Sequence, residues 1–167
     1  MRRINEIFYS LQGEGRQAGT PCVFIRFSGC NLRCPFCDTD HTHFVQMSDE
    51  EIAARAASFG APWIVITGGE PSLSIDAEFI ALLKERTGAR IAIETNGTHP
   101  LPPGLDWIAC SPKMGIAGAD APVVIDRADE IKVVDCGQPL ESYFDLQCRR
   151  EDTLMYLQPC FEPDEER

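Results

Sequence analysis

The sequence predicts an α/β fold built on parallel strands. Two observations carry this. About six short runs rich in β-branched and aromatic residues alternate with helical patterns or loops, the order expected of βαβ units. Several of these runs end in glycine or polar residues, as strands do at the open face of an α/β sheet. No internal repeat, linker or low-complexity tract divides the 167 residues, so 1–167 reads as one domain. A domain near this size buries roughly 70% of its unfolded surface, enough for one core.

Taken in order, Ile4, Ile7 and Phe8 lead into Tyr9-Ser10-Leu11-Gln12-Gly13-Glu14-Gly15, whose glycines mark a turn or a close backbone approach. Val23-Phe24-Ile25-Arg26-Phe27 is the first strand, bounded by breakers. Residues 28–47 form a loop without regular pattern. Ser48-Asp49-Glu50-Glu51 is a capping box, after which Ile52, Ala56 and Phe59 recur at helical spacing as far as Gly60. Trp63-Ile64-Val65-Ile66-Thr67 is a buried strand running into Gly68-Gly69-Glu70-Pro71. A second helix spans 76–86, with Phe79, Ile80, Leu82 and Leu83 apolar and Gly88 beyond it. Strands at 90–97, 106–110, 130–134 and 154–157 complete the set, and a short helix is expected from 139 to 146.

Charge and cysteine usage exclude several classes of function. The net charge of -11 and pI of about 4.6 argue against binding nucleic acid, which needs a basic stripe. No run is long enough to span a membrane. Met1-Arg2-Arg3-Ile4-Asn5-Glu6 opens no apolar leader, so the eight cysteines read as cytoplasmic thiols, some of them spent on metal, rather than as disulfides.

Three cysteines stand apart. Ser28-Gly29-Cys30-Asn31-Leu32-Arg33-Cys34-Pro35-Phe36-Cys37-Asp38-Thr39 sets Cys30, Cys34 and Cys37 in a Cys-x-x-x-Cys-x-x-Cys spacing. A structural zinc site wants four closed ligands, and an electron-transfer 4Fe-4S cluster usually wants four cysteines. Three thiolates leave one iron open to a substrate or cosubstrate. A zinc-binding interaction module is the alternative, but His41 and His43 give no usual zinc pattern. The remaining cysteines, Cys22, Cys110, Cys136, Cys148 and Cys160, read as ordinary thiols.

The three-cysteine spacing resembles the radical S-adenosylmethionine superfamily. With Gln12-Gly13-Glu14-Gly15, Cys37-Asp38-Thr39 and Ser111-Pro112-Lys113, the chain is similar to the 7-carboxy-7-deazaguanine synthases within it. The resemblance covers essentially the whole chain in motif order. It implies a partial parallel (β/α) barrel of about six strands with few helices. It also implies that a 4Fe-4S cluster on Cys30, Cys34 and Cys37 passes an electron to S-adenosylmethionine, giving methionine and a 5′-deoxyadenosyl radical. That radical would convert 6-carboxy-5,6,7,8-tetrahydropterin to 7-carboxy-7-deazaguanine and ammonia, a step of queuosine-type 7-deazapurine biosynthesis. The protein's own share is orientation and electrostatics.

Residue by residue, the resemblance implies that Gly69, Glu70, Ser111, Pro112, Lys113, Gln158 and Pro159 contact S-adenosylmethionine. Leu11, Gln12, Gly13, Glu14, Arg26 and Thr67 would contact the carboxypterin. Arg26 alone reads as a solvent-facing strand arginine; the resemblance makes its planar fork a carboxylate clamp. Thr39 could be a turn cap, and the resemblance makes it a ligand of Mg2+, an ion that keeps several waters. Phe36 would shield the cluster or touch the adenine. Glu94 and Asn96 fit either a strand-end turn or a face toward the cosubstrate, while Asp38 has no assigned role and His41 and His43 read as surface residues. A homodimer served by a flavodoxin- or ferredoxin-like reductant is the family expectation. Two related readings stay open: a glycyl-radical-enzyme activase acting on a protein, and a non-catalytic iron–sulfur electron carrier. The resemblance further implies a helix and a strand carrying Gln-x-His-Lys beyond Gln158-Pro159. The residues Glu162-Pro163-Asp164-Glu165-Glu166-Arg167 carry no such pattern, so the expectation is S-adenosylmethionine cleavage with poor carboxypterin turnover.

Overall fold

The computed structural model describes residues 1–37, 39–116 and 121–160. Asp38 and the acidic tail lie outside them.

One sheet organises the described residues. Its strands are β1 (Arg2–Leu11), β2 (Pro21–Phe27), β3 (Val45–Met47), β4 (Trp63–Gly68), β5 (Arg90–Thr95), β6 (Trp107–Cys110), β7 (Glu130–Asp135) and β8 (Leu154–Pro159). They lie in the order β3-β1-β2-β4-β5-β6-β7-β8. From β2 to β8 every pairing is parallel, and these six strands are the six expected from the sequence. β1 and β3 add an antiparallel edge, so the strands number eight rather than about six.

The edge escapes sequence reading for a physical reason. Ile4 and Ile7 pack on the same core although they sit three positions apart, a spacing that a regular strand forbids. A bulge between Ile4 and Glu6 absorbs the extra residue and restores the face. β3 is three residues long and mostly exposed, too short to carry a pattern.

Two helices cover one face. Ser48 caps α1 (Asp49–Ala57) with both halves of the capping box formed, and Asp76 caps α2 (Ala77–Thr87) through the Phe79 amide. Ile52, Ala56, Phe79, Ile80 and Leu83 pack with Ile25, Phe27, Ile64, Ile66, Ile91 and Ile93 in the main core. The helix expected at 139–146 is a single 3₁₀ turn, Glu141–Tyr143. Its Tyr143 is buried and donates its hydroxyl to the Met114 carbonyl, so the segment is fixed by one anchor rather than by an apolar helical stripe.

The opposite face carries Cys22, Phe24, Trp63, Val65, Ala92 and Trp107 near the strands' starts. Laid flat, β2 and β7 would stand roughly 19 Å apart at about 4.8 Å per step. Yet Glu14, in the turn before β2, pairs with Lys132 of β7 at 2.9 Å. The sheet therefore curls on itself, as a partial barrel must.

Candidate active site

The curl closes a cavity of about 250 Å³ at the carboxyl ends of the parallel strands, the place where α/β sheets bind ligands. Cys30, Cys34 and Cys37 line it from the loop after β2. Leu32 and Phe36 line it between them. The loop is held at both ends. Ser28 Oγ donates to the His41 carbonyl at 3.1 Å, and the Gly29 amide donates to His41 Nδ1 at 3.3 Å. Asn31 Nδ2 donates to Thr98 Oγ1 at 2.7 Å and Asn31 Oδ1 accepts from Asn96 Nδ2 at 3.1 Å, tying the loop to the end of β5. His41 is thus a half-buried brace rather than a free surface residue.

Burial pushes the Cys30 and Cys34 thiols above the ordinary value; the Leu32 amide bonded to Cys30 Sγ and the cation of Lys113 near Cys34 pull the other way. Among the described residues no three His, Cys, Asp or Glu groups stand close enough to hold one metal ion. A 4Fe-4S cluster asks for something else, since each thiolate binds its own iron. Three thiols around one cavity, beside a lysine that favours their ionised form, fit such a donor set.

Gly68 ends β4 and Gly69 follows it, the first pressed against the end of β2 and the second against that loop. Gly68 has φ +134, and a Cβ on it would collide with the Phe27 carbonyl oxygen; one on Gly69 would collide with that of Gly29. The Gly69 and Glu70 amides donate to Phe27 and Gly29 carbonyls at 3.1 and 2.9 Å. The glycines therefore join the β4 end to the cysteine loop, and Gly69 also lines the cavity.

Glu70 turns the other way. It is 1% exposed, and its carboxylate accepts from the Ser72 amide, Thr95 Oγ1 and the Asn96 amide at 3.0, 2.8 and 2.6 Å. Glu70→Gln would set an amide NH2 against one of these donors. A loss of about 1–3 kcal/mol in urea unfolding is expected; an unchanged midpoint would show that the three bonds contribute little.

Lys113 reaches the cavity from the loop after β6, donating to the Ser111 carbonyl and Oγ at 2.6 Å each. Burial lowers its pKa from the ordinary lysine value. Across the cavity, Lys132 is 2% exposed and bridges Glu14 at 2.9 Å and Glu94 at 3.1 Å. Burial opposes the Lys132 charge, but the two carboxylates outweigh that and hold its pKa above the usual value; burial likewise opposes the Glu14 charge, and the Lys132 cation outweighs it, holding Glu14 below its usual value. Glu94 also accepts from Gln12 Nε2 at 2.9 Å and Thr67 Oγ1 at 3.4 Å. The wall is thus an organised set of charges facing an open space.

Known proteins resemble this chain in sequence and in fold. The profile of the Radical SAM superfamily matches residues 24–112. The 7-carboxy-7-deazaguanine synthase of Bacteroides thetaiotaomicron is 52% identical over 160 residues, which span 96% of this chain and 82% of that protein. The chain belongs to the 7-carboxy-7-deazaguanine synthase family. The synthase of Neisseria meningitidis is 39% identical over 158 residues, spanning 95% of this chain and 74% of its own length. The crystal structure of QueE from Escherichia coli matches with a TM-score of 0.80 at 31% identity, covering 98% of this chain and 85% of that one. Membership of this radical S-adenosylmethionine family implies a 4Fe-4S cluster and S-adenosylmethionine. No helix among the described residues is long and apolar enough to cross a membrane.

Against the residues singled out by synthase resemblance, the cavity gathers Cys30, Cys34, Cys37, Glu14, Thr67, Gly69, Ser111, Lys113 and Gln158. It does not gather Glu70, Pro112, Pro159, Leu11, Gln12, Gly13, Thr39 or Arg26. Gln12 acts at one remove through Glu94. Gly13 and Leu11 are exposed. Gly15 is the constrained glycine of that turn, at φ +66 with the Glu130 carboxylate where a Cβ would sit. Arg26 donates its Nε to Glu6 at 2.7 Å on the neighbouring strand. Its register partner is Thr67, which does line the cavity. Sequence reading missed Lys132 and left Glu94 and Asn96 undecided. The one available signal was a lysine inside the apolar run Ile131-Lys132-Val133-Val134.

Proposed function

We infer that this chain is a 7-carboxy-7-deazaguanine synthase, one domain that converts 6-carboxy-5,6,7,8-tetrahydropterin to 7-carboxy-7-deazaguanine with release of ammonia. The observation that carries this is the single cavity shared by three cysteines and a wall of paired charges, in a chain 52% identical to such a synthase. When bound, the cluster and S-adenosylmethionine supply a 5′-deoxyadenosyl radical. Cys30, Cys34 and Cys37 would hold the cluster. Gly69, Ser111, Lys113 and Gln158 would hold the cosubstrate, Lys113 offering a cation to its carboxylate. Glu14, Thr67 and the Lys132–Glu94 pair would orient the pterin, whose ring N–H groups want acceptors. An external flavodoxin- or ferredoxin-like protein would deliver the electron, and a homodimer in the cytoplasm is the expected state.

The decisive experiment is anaerobic reconstitution with iron and sulfide, followed by reduction with S-adenosylmethionine and the carboxypterin. Deazaguanine product supports the reading. Deoxyadenosine with no deazaguanine product at all would favour an activase of a protein radical, and no cleavage at all an electron carrier.

Two finer assignments belong to this reading. Arg26 would release Glu6 and clamp the substrate carboxylate. Arg26→Lys keeps the charge but loses the fork, so the Michaelis constant for carboxypterin should rise about tenfold or more, on the scale of a charge-assisted bond of roughly 1.5–3 kcal/mol, with that for S-adenosylmethionine unchanged. An equal change in both would make Arg26 structural. Thr39 would complete a Mg2+ shell of substrate and water oxygens. Thr39→Ala should then blunt the magnesium titration of turnover, only in part because water can replace one hydroxyl; an identical titration would leave Thr39 a turn cap.

A further inference from the structure

Cys136 and Cys160 have no place in the chemistry above, yet the topology brings them together. β7 and β8 pair in register as far as Asp135 and Pro159. One residue on, the Cys160 amide donates to the Asp135 carbonyl at 3.2 Å, so the ladder runs up to the two cysteines. Neighbouring strands lie about 4.8 Å apart, inside the range of roughly 4.4–6.8 Å between Cα atoms that a disulfide accepts. Val134 and Gln158, two residues earlier, line the cavity, so the two cysteines directly follow the strand ends that reach it. Cys136 is exposed and Cys160 half-buried, whereas Cys110 and Cys148 are buried.

We propose that Cys136 and Cys160 form a reversible thiol–disulfide site across the ends of β7 and β8, oxidised by exchange with a small disulfide such as glutathione disulfide. One thiolate of the pair attacks a sulfur of the small disulfide, breaking its S–S bond and expelling one glutathione thiolate. The second thiol loses its proton and attacks the mixed disulfide, expelling the other glutathione. Two electrons pass from the protein to the small molecule, and two glutathione thiols leave. The bridge ties β7 to β8 where Val134 and Gln158 enter the cavity, so the thiol state sets the freedom of that rim. Burial, then the hydrogen bond that it donates to Cys160, pushes the Cys136 thiol up to about 11. Exchange through Cys136 is therefore slow at neutral pH and faster as pH rises.

The test uses cluster-loaded enzyme under anaerobic conditions, where Cys30, Cys34 and Cys37 are bound to iron. It is incubated with glutathione disulfide at pH 7 and pH 9, and its mass and proteolytic peptides are read. The expected result is loss of two hydrogens, faster at pH 9 and reversed by dithiothreitol. Cleavage after Arg149 and Arg150 separates the two cysteines, so a bridged peptide pair is expected, with fragment ions placing the link at Cys136 rather than Cys148. Cys136→Ser should instead retain one glutathione on Cys160. Retention of glutathione by the unaltered enzyme without a bridge, a bridge to Cys148, no mass change, or loss of two hydrogens in Cys136→Ser would each overturn the proposal.

Discussion

Replacing any one of Cys30, Cys34 or Cys37 by alanine is expected to abolish reductive cleavage of S-adenosylmethionine. Each thiolate would hold a separate iron, and the fourth iron must stay open, so no spare donor exists. Burial raises the Cys30 and Cys34 thiols, which means that binding iron must also drive off their protons. Cys136→Ser, outside the cavity lining, should leave cleavage intact. Iron content and deoxyadenosine formation are the readouts. Full activity in any of the three alanine variants would sink the assignment.

Lys132→Met is expected to have the largest effect among residues that the motifs do not name. Methionine keeps the apolar stem but leaves Glu94 without its cation on the cavity wall. Removing one partner of a fully buried pair costs about 3–5 kcal/mol, and the loss here should fall at or below the lower end because the Glu94 side chain is 25% exposed. The Glu14 arm, whose side chain is 51% exposed, should contribute little to that. Urea unfolding at pH 7 would measure the loss, and Lys132→Met with Glu94→Gln should recover part of it. The pH dependence has a definite sign. Glu14 is held below its ordinary value of 4.5 by Lys132, so its contribution is present above that value and lost as pH falls through the folded pKa. The variant should lack that acid-side loss. A double variant no more stable than the single one would show that packing, not charge, is what Lys132 supplies.

The core strands and both long helices were legible because their signals are local. Val23, Ile25 and Phe27, or Ile64 and Ile66, advertise a buried strand by composition, and the Ser48–Glu51 box states a helix start in four residues. β1 was hidden because its bulge breaks the period, and the 139–146 turn because one buried tyrosine, not a stripe, holds it. The cysteine spacing alone suggested a donor set, since thiolate number decides whether an iron stays open, and the fold brings those three thiols to one cavity. What the sequence could not decide is where each other polar side chain faces. Glu70 turned out to clamp three donors in the interior, because the end of β5 supplies two of them from 25 and 26 residues away and the Ser72 amide adds the third. Lys132 became the centre of a charge network only because the sheet curls until the turn before β2 meets β7. Sequence sets which groups are available within a few residues; curvature, register and burial, which join residues as far apart as Glu14 and Lys132, decide which of them share a cavity.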